Sequence, residues 1–294
     1  MTDKHPDHEL SDRKFYRAGE ESRFADQSPE RTPQTQHPAY KLAFRDHDFL
    51  LRDELRPVRF QLELLKPEML LDEARVGSTL VMYGSARIPS PEQAQARIDA
   101  AKGGDEYEQK VAANLAAKAK YYHEAYKLAR LVSEKAIIED GKRQFVVTTG
   151  GGPSIMEAGN RGASDAGSES IGLNIVLPHE QAPNTYVTPY LSLNFHYFAL
   201  RKMHFLLRAR AVAVFPGGFG TFDEFFELLT LIQTGKMKPM PILLFGKDFW
   251  TRVVDFDALA EEGTIAKRDL DLFQWCETAD EAWACIAAFY ELEA

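Results

Sequence analysis

Three glycines, Gly217, Gly218 and Gly220, stand in the run Pro216, Gly217, Gly218, Phe219, Gly220, Thr221, directly after an apolar stretch from Ala211 to Phe215. Glycine permits positive φ and carries no Cβ to block an approaching anion. A helix that starts at such a run offers unpaired N–H groups and the positive end of its dipole. The chemistry this combination serves is phosphate binding, with Thr221 adding a hydroxyl. Glu224 lies three residues beyond Thr221, and that spacing has two readings. In one, Thr221 and Glu224 form a capping box at a helix start. In the other, the Glu224 carboxylate projects from the first turn beside the phosphate and serves the reacting carbon of the same ligand.

A second glycine run, Gly150, Gly151 and Gly152, continues as Pro153, Ser154, Ile155, Met156, Glu157. It reads as strand, glycines, then a helix opened by Ser154 and Glu157 as a capping box, and Met156 and Glu157 join the glycines as candidate ligand contacts. Gly84 and Ser85 follow a third apolar run, Leu80 to Tyr83. Arg201 and Lys202 are neighbours in a helical segment, and adjacent helical positions diverge by about 100°. The two therefore do not face the same place. Arg201, on the segment leading into the strand that feeds the phosphate loop, is the candidate for catalysis; Lys202 is a candidate substrate contact that solvation would otherwise explain. His196 and His204 have no evident partner and read as core or surface residues.

The elements that must position these residues alternate. Strands are expected at Leu80 to Tyr83, Phe145 to Thr149, Ser170 to Leu177, Leu191 to Phe195, Ala211 to Phe215 and Ile242 to Phe245. Helices are expected near Glu106 to Lys135, Ile155 to Ala166, Tyr197 to Arg210, Phe222 to Thr234 and Phe249 to Glu261, with a closing helix capped by Thr278 and Glu281. This alternation predicts an α/β fold, a Rossmann-like doubly wound parallel sheet with helices on both faces, preceded by a helical extension. Ligands of such sheets bind beyond the carboxyl ends of the strands, where all three glycine loops fall. Residues 1–40 are polar and nearly free of aliphatic side chains and are expected to be a disordered tail. Residues 41–76 should form short helices interrupted at Pro57 and Pro67, and 77–294 the nucleotide-binding catalytic domain.

With 294 residues, 45% of them hydrophobic, one sizeable core is expected. The net charge of −9 opposes a nucleic-acid partner, whose affinity draws on basic side chains. Cys276 and Cys285 form no CxxC pair and are expected to be free thiols in a reducing compartment; no spaced ligand set suggests a metal. No apolar run approaches the ~18 residues of a membrane span, and the N-terminus lacks a signal-peptide core, so a cytoplasmic location is expected.

Taken together, these residues resemble the LOG (Lonely Guy) family, the cytokinin riboside 5′-monophosphate phosphoribohydrolases, which also circulate under the label lysine decarboxylase. That family carries a paired Arg and Lys on a helix, a strand, and then a PGGxGTxxE signature. The counterparts here are Arg201 and Lys202, Ala211 to Phe215, and Pro216 through Glu224, within a match over roughly residues 78 to 250. The second glycine run and the N-terminal extension are closer to the longer bacterial members. The resemblance implies catalysis by Arg201 and Glu224, no metal and no cofactor, and an assembly of at least a homodimer. Short plant-type members place a Met three positions after the Lys, where this chain has Phe205. Cytokinin riboside monophosphate and a general nucleoside 5′-monophosphate such as AMP both remain open as substrates.

The implied reaction is hydrolysis of an N-glycosidic bond to free base and ribose 5-phosphate. A carboxylate at Glu224 would stabilise positive charge on the ribose and activate water, while Arg201 would offset charge on the departing base. The rival of another class is a non-catalytic carrier of a nucleotide or of molybdenum cofactor on the same fold. A pure binder has no need of both Arg201 and Glu224. The decarboxylase label would require pyridoxal phosphate on a lysine, and Lys202 is the only lysine near the motifs. A single-strand DNA binder is opposed by the acidic balance.

Overall fold

The structure, a computed structural model, describes residues 15–27, 30–178 and 182–292. The chain divides into two compact units, Met1–Gln61 and Leu62–Ala294. In the first unit, part of the expected tail, residues 1–14 and 28–29, lies outside the described residues. The helix Ala18–Asp26 buries none of its side chains. Local polar bonds tie this unit together: Arg45 pairs with Asp26 at 2.7 Å, and the Arg59 guanidinium donates to the carbonyls of Leu50 and Arg52, each at 2.7 Å.

Helix α1, Arg56–Glu73, runs through both prolines expected to interrupt it. Pro57 occupies the first turn, where its missing N–H would have had no acceptor, and Pro67 forfeits one bond inside the helix. The portion of α1 from Leu62 onward anchors the helix that carries the site. Glu63 accepts the backbone N–H groups of His196 and Tyr197, and Arg208 donates to Glu68 at 2.8 Å.

The second unit is built on seven strands: β1 Thr79–Tyr83, β2 Val146–Thr149, β3 Ile171–Ile175, β4 Ser192–Phe195, β5 Ala209–Val214, β6 Ile242–Phe245 and β7 Gln274–Cys276. Their spatial order is β4-β3-β2-β1-β5-β6-β7, and every pairing is parallel. The near-continuous apolar runs of β1, β5 and β6 are those of strands covered on both faces. This second unit thus carries the Rossmann-like α/β fold expected from the sequence. The chain works outward from β1 through β2, β3 and β4, then returns to place β5 on the other side of β1. The strand order reverses there, which sets the crevice beyond β1 and β5.

On one face, helices α2 (Ala119–Lys135), α3 (Ile155–Asp165) and α6 (Ala279–Tyr290) cover Leu80, Met82, Val147, Ala211, Ala213, Leu243 and Phe245. On the other lie α4 (Phe198–Leu207) and α5 (Phe219–Gln233), with Phe225 packed among Trp250, Phe256 and Phe273.

Several boundaries differ from the sequence reading. The expected helix from Glu106 to Lys135 breaks into Glu106–Ala116 and α2, and that from Phe249 to Glu261 into Lys247–Val253 and Phe256–Glu261. Helix Pro91–Ala101 and strand β7 were not anticipated; β7 is a three-residue edge strand with little pattern to read. The closing helix does begin at Thr278 with Glu281 completing its capping box.

Candidate active site

Helix α5 begins at Phe219, three residues earlier than its pattern implies, with Gly218 as N-cap and no side-chain cap. The Thr221–Glu224 capping box is therefore not formed; both residues lie inside the helix. The reason is local: Phe222 N–H already bonds the Gly218 carbonyl at 3.0 Å, so the first turn closes on the glycine. The N–H groups of Phe219, Gly220 and Thr221 precede the first intrahelical bond and are free for an anion. Gly218 and Gly220 are exposed, and a Cβ built on either meets nothing within 4 Å. Gly217 differs, since its Cβ would run into the Thr221 side chain. Thr221 itself is buried.

Glu224 follows Gly220 by one turn, on the same helical face. Its Oε1 stands 3.7 Å from Nη1 of Arg201, and the two side chains are only 14% and 11% exposed. Arg201 is fixed from behind: its Nε donates to the Leu173 carbonyl on β3 at 2.7 Å, and its guanidinium lies 5.1 Å over the Phe205 ring. Burial pushes the Glu224 carboxyl up to about 7; Arg201 opposes that rise, Asp223 adds to it, Lys202 opposes it and Glu227 adds to it. Burial likewise lowers the ionisation of Arg201, against the pull of Glu224 and Tyr83, but a guanidinium stays charged throughout the accessible pH range. Both shifts run in the direction of lost hydration, so the pair at this separation does not replace the water each group gave up.

Lys202 points elsewhere, as the divergence of adjacent positions requires. It bonds Asp223 at 3.1 Å and Glu227 at 3.0 Å, both on α5. Burial disfavours its charge, but the bonds to Glu227 and Asp223 prevail and its ionisation is raised. Its role here is to clasp α4 to α5. An amine held protonated by two carboxylates is poorly suited to form an aldimine, so these residues do not fit pyridoxal phosphate.

The glycines of the second run answer to packing. A Cβ on Gly150 would stand 2.5 Å from Nη2 of Arg201 and 2.9 Å from the Met156 sulfur, and one on Gly152 would stand 2.7 Å from Cε of Met156. Gly151 has a φ of 73°, and its Cβ would strike Oδ1 of Asn174. Met156 thus lies against the loop. Glu157 accepts the Tyr122 hydroxyl at 3.0 Å. The Ser154–Glu157 capping box is not formed, because Ser154 sits at φ 66°, ψ −124° and its Oγ donates instead to the Ile88 carbonyl at 2.5 Å.

Hydrogen bonds join the three loops. Ser85 N–H donates to the Pro216 carbonyl at 3.1 Å, and the Ser85 carbonyl accepts Ile155 N–H at 3.4 Å. Gly84 leaves room for Ile155, whose Cγ2 would be 2.6 Å from a Cβ there. Gly84, Ser85, Gly150, Gly151, Gly152, Met156, Arg201, Gly217, Gly218, Gly220, Thr221 and Glu224 therefore gather beyond β1, β2 and β5.

Two features escaped the sequence reading. One is an amide network that holds the second glycine loop. The Asn184 side chain donates to the carbonyls of Gly151 and Gly152 and to Oδ1 of buried Asn160, while Thr149 donates to that same Oδ1 at 2.7 Å. Asn160 interrupts the buried face of α3, a signal that was available. The other is Tyr83, which reads as an ordinary strand residue.

Among the described residues no cluster of three or more His, Cys, Asp or Glu side chains could hold a metal, and no helix is long and apolar enough to cross a membrane. Cys276 and Cys285 are free; the Cys276 thiol is pushed up to about 12 by burial and by Cys285 beside it. His204 is buried, with Nε2 3.0 Å from the Glu63 carbonyl, and burial lowers its ionisation.

A family model described as "Possible lysine decarboxylase" matches residues 156–286. No curated protein matches the chain. Among solved structures, the chain is similar to the X-ray structure of TM1055, a structural genomics target, at 21% identity and a TM-score of 0.42, over 72% of this chain and 99% of that one. It is also similar to the molybdenum cofactor carrier protein of Chlamydomonas reinhardtii, at 18% identity and a TM-score of 0.40, over 58% of this chain and 88% of that one. The matched segment contains Arg201, the phosphate-loop motif and Glu224, so over residues 156–286 the chain is similar to the family that carries the lysine decarboxylase description.

Proposed function

We propose that the protein hydrolyses the N-glycosidic bond of a nucleoside 5′-monophosphate, AMP-like or a cytokinin riboside monophosphate, to free base and ribose 5-phosphate. The observation that carries this reading is the buried Arg201–Glu224 pair, one helical turn from a glycine-opened helix N-terminus. The phosphate would be held by the N–H groups of Phe219, Gly220 and Thr221. One turn is about 5.4 Å along the axis, a span on the scale of the ribose between its phosphate and its anomeric carbon. Glu224 then faces the carbon on which positive charge develops. A carboxyl near 7 is divided between its two forms at neutral pH, and the ionised form stabilises that charge and takes a proton from the attacking water. Arg201 offsets negative charge on the departing base.

The test is incubation with AMP, CMP, GMP, IMP and isopentenyladenosine monophosphate, with free base followed by chromatography. Base release from at least one, lost in Glu224→Gln, supports the reading. Binding without release from any of them would make the protein a nucleotide carrier. We further propose an assembly of at least a dimer. Phe198, Met203 and Leu207 on α4 and the 97%-exposed Phe219 on α5 present apolar surface that a second copy would cover. A monomeric mass in analytical ultracentrifugation at micromolar concentration would refute this.

A further inference from the structure

Tyr83 ends β1 at the point where the strand order reverses, and it is 3% exposed. Strand alternation sends Leu80 and Met82 into the core under α2 and α3 and turns Tyr83 to the opposite face. There its ring meets Phe205 edge-on, with centroids 5.1 Å apart. The Arg201 guanidinium lies over the same Phe205 ring. Tyr83, Phe205 and Arg201 thus form one column, and Glu224 pairs with its top. Burial, reinforced by Glu224 and opposed by Arg201, pushes the phenol well above its ordinary value, so it remains an O–H donor.

That donor has no hydrogen-bond partner among the described residues. Nor is its oxygen wholly sealed from solvent. It therefore opens to the crevice while the ring stays inside. Buried tyrosines ordinarily satisfy their hydroxyl. Phenylalanine would fill the same space without that cost.

We propose that Tyr83 contacts the substrate, its hydroxyl donating to a ribose hydroxyl, and that it selects ribonucleotides over their deoxy counterparts. This rests on the nucleotide reading above. With the phosphate on α5 and the scissile carbon at Glu224, the sugar lies over the carboxyl ends of β1 and β5, where Tyr83 pairs in register with Val214. Phosphate and carboxylate already have their partners on α5 and α4. The sugar hydroxyls are the acceptors left for a donor rising from β1.

The experiment compares AMP with 2′-deoxy-AMP and 3′-deoxy-AMP in the wild type and in Tyr83→Phe, which keeps the ring and its packing. The wild type should favour AMP over one deoxy analogue by about ten- to a hundredfold in kcat/KM. Tyr83→Phe should lose a similar factor on AMP, lose little on that analogue, and bring their ratio close to one. A purely structural role would lower all three substrates together, and an unchanged ratio overturns the proposal. So does a wild type indifferent to both deoxy analogues, whether or not the variant folds. A wild type that releases base from no nucleotide sinks the hydrolase reading instead. Calorimetry with ribose 5-phosphate and 2-deoxyribose 5-phosphate then decides the Tyr83 contact, and equal selectivity in the two proteins overturns it.

Discussion

Nη1 of Arg201 stands 3.7 Å from Oε1 of Glu224, across the gap between α4 and α5. The two residues are 23 positions apart in sequence, with β5 and the glycine-rich loop between them. Their side chains meet only because α4 leads into β5 and α5 leads out of it. Replacing Glu224 by Gln preserves shape and helix propensity but removes the ionisable oxygen. Turnover should fall by roughly 10²–10⁴-fold while AMP affinity, measured calorimetrically, changes little. Unchanged kcat would remove Glu224 from the mechanism.

The pH dependence follows from the same carboxyl, at about 7 in the fold against an ordinary 4.5. Below 4.5 it is protonated both folded and unfolded. Between 4.5 and 7 the unfolded chain releases the proton while the folded protein keeps it, so stability falls as pH rises through that window. The loss amounts to about 3 kcal/mol above pH 7. Glu224→Gln escapes it, so the variant's melting temperature should gain on the wild type's from pH 4.5 to 8. In the proposed hydrolysis the sign is opposite, since that mechanism uses the ionised form: kcat/KM should rise through an acidic limb near 7. Arg201 holds the carboxyl down, so Arg201→Gln should move that limb to higher pH.

The glycines divide into two kinds that substitution by alanine can separate. Gly150→Ala places a methyl group 2.5 Å from Nη2 of Arg201. Displacing the guanidinium by about 1 Å should cost on the order of 10² in kcat. Gly218→Ala and Gly220→Ala meet no atom, and inside the first turn of α5 the Gly220 change should add up to about 1 kcal/mol of stability. If the loop holds a phosphate, both should nonetheless weaken AMP binding. Stability together with unaltered AMP affinity would reduce the loop to a turn.

Asn184→Ala should destabilise the protein by about 1–3 kcal/mol, because the Gly152 carbonyl loses its side-chain donor and the Gly151 carbonyl keeps only the backbone N–H of residue 184. Urea unfolding monitored by circular dichroism measures this. A variant as stable as the wild type would show that water replaces the amide.

The alternation of apolar strands with amphipathic helices, and the position of glycines at strand ends, was enough by itself to determine the doubly wound sheet and the three loops beyond it. These signals are local: a buried parallel strand must be apolar throughout, and a turn from strand to helix needs glycine where the backbone is crowded. Arg201 and Glu224 were legible as candidates through the order of motif, strand and motif. Only the tertiary structure decided which way side chains point. Lys202 turned to Asp223 and Glu227, Thr221 sits inside α5 where the sequence also allowed a cap, and Gly150 is a glycine because Arg201 crosses it. The Asn184 and Asn160 network and the open hydroxyl of Tyr83 depend on contacts between residues far apart in the chain. Hydrophobic pattern records burial along one element; it carries no record of which distant partner a buried polar group meets, or of whether it meets one at all.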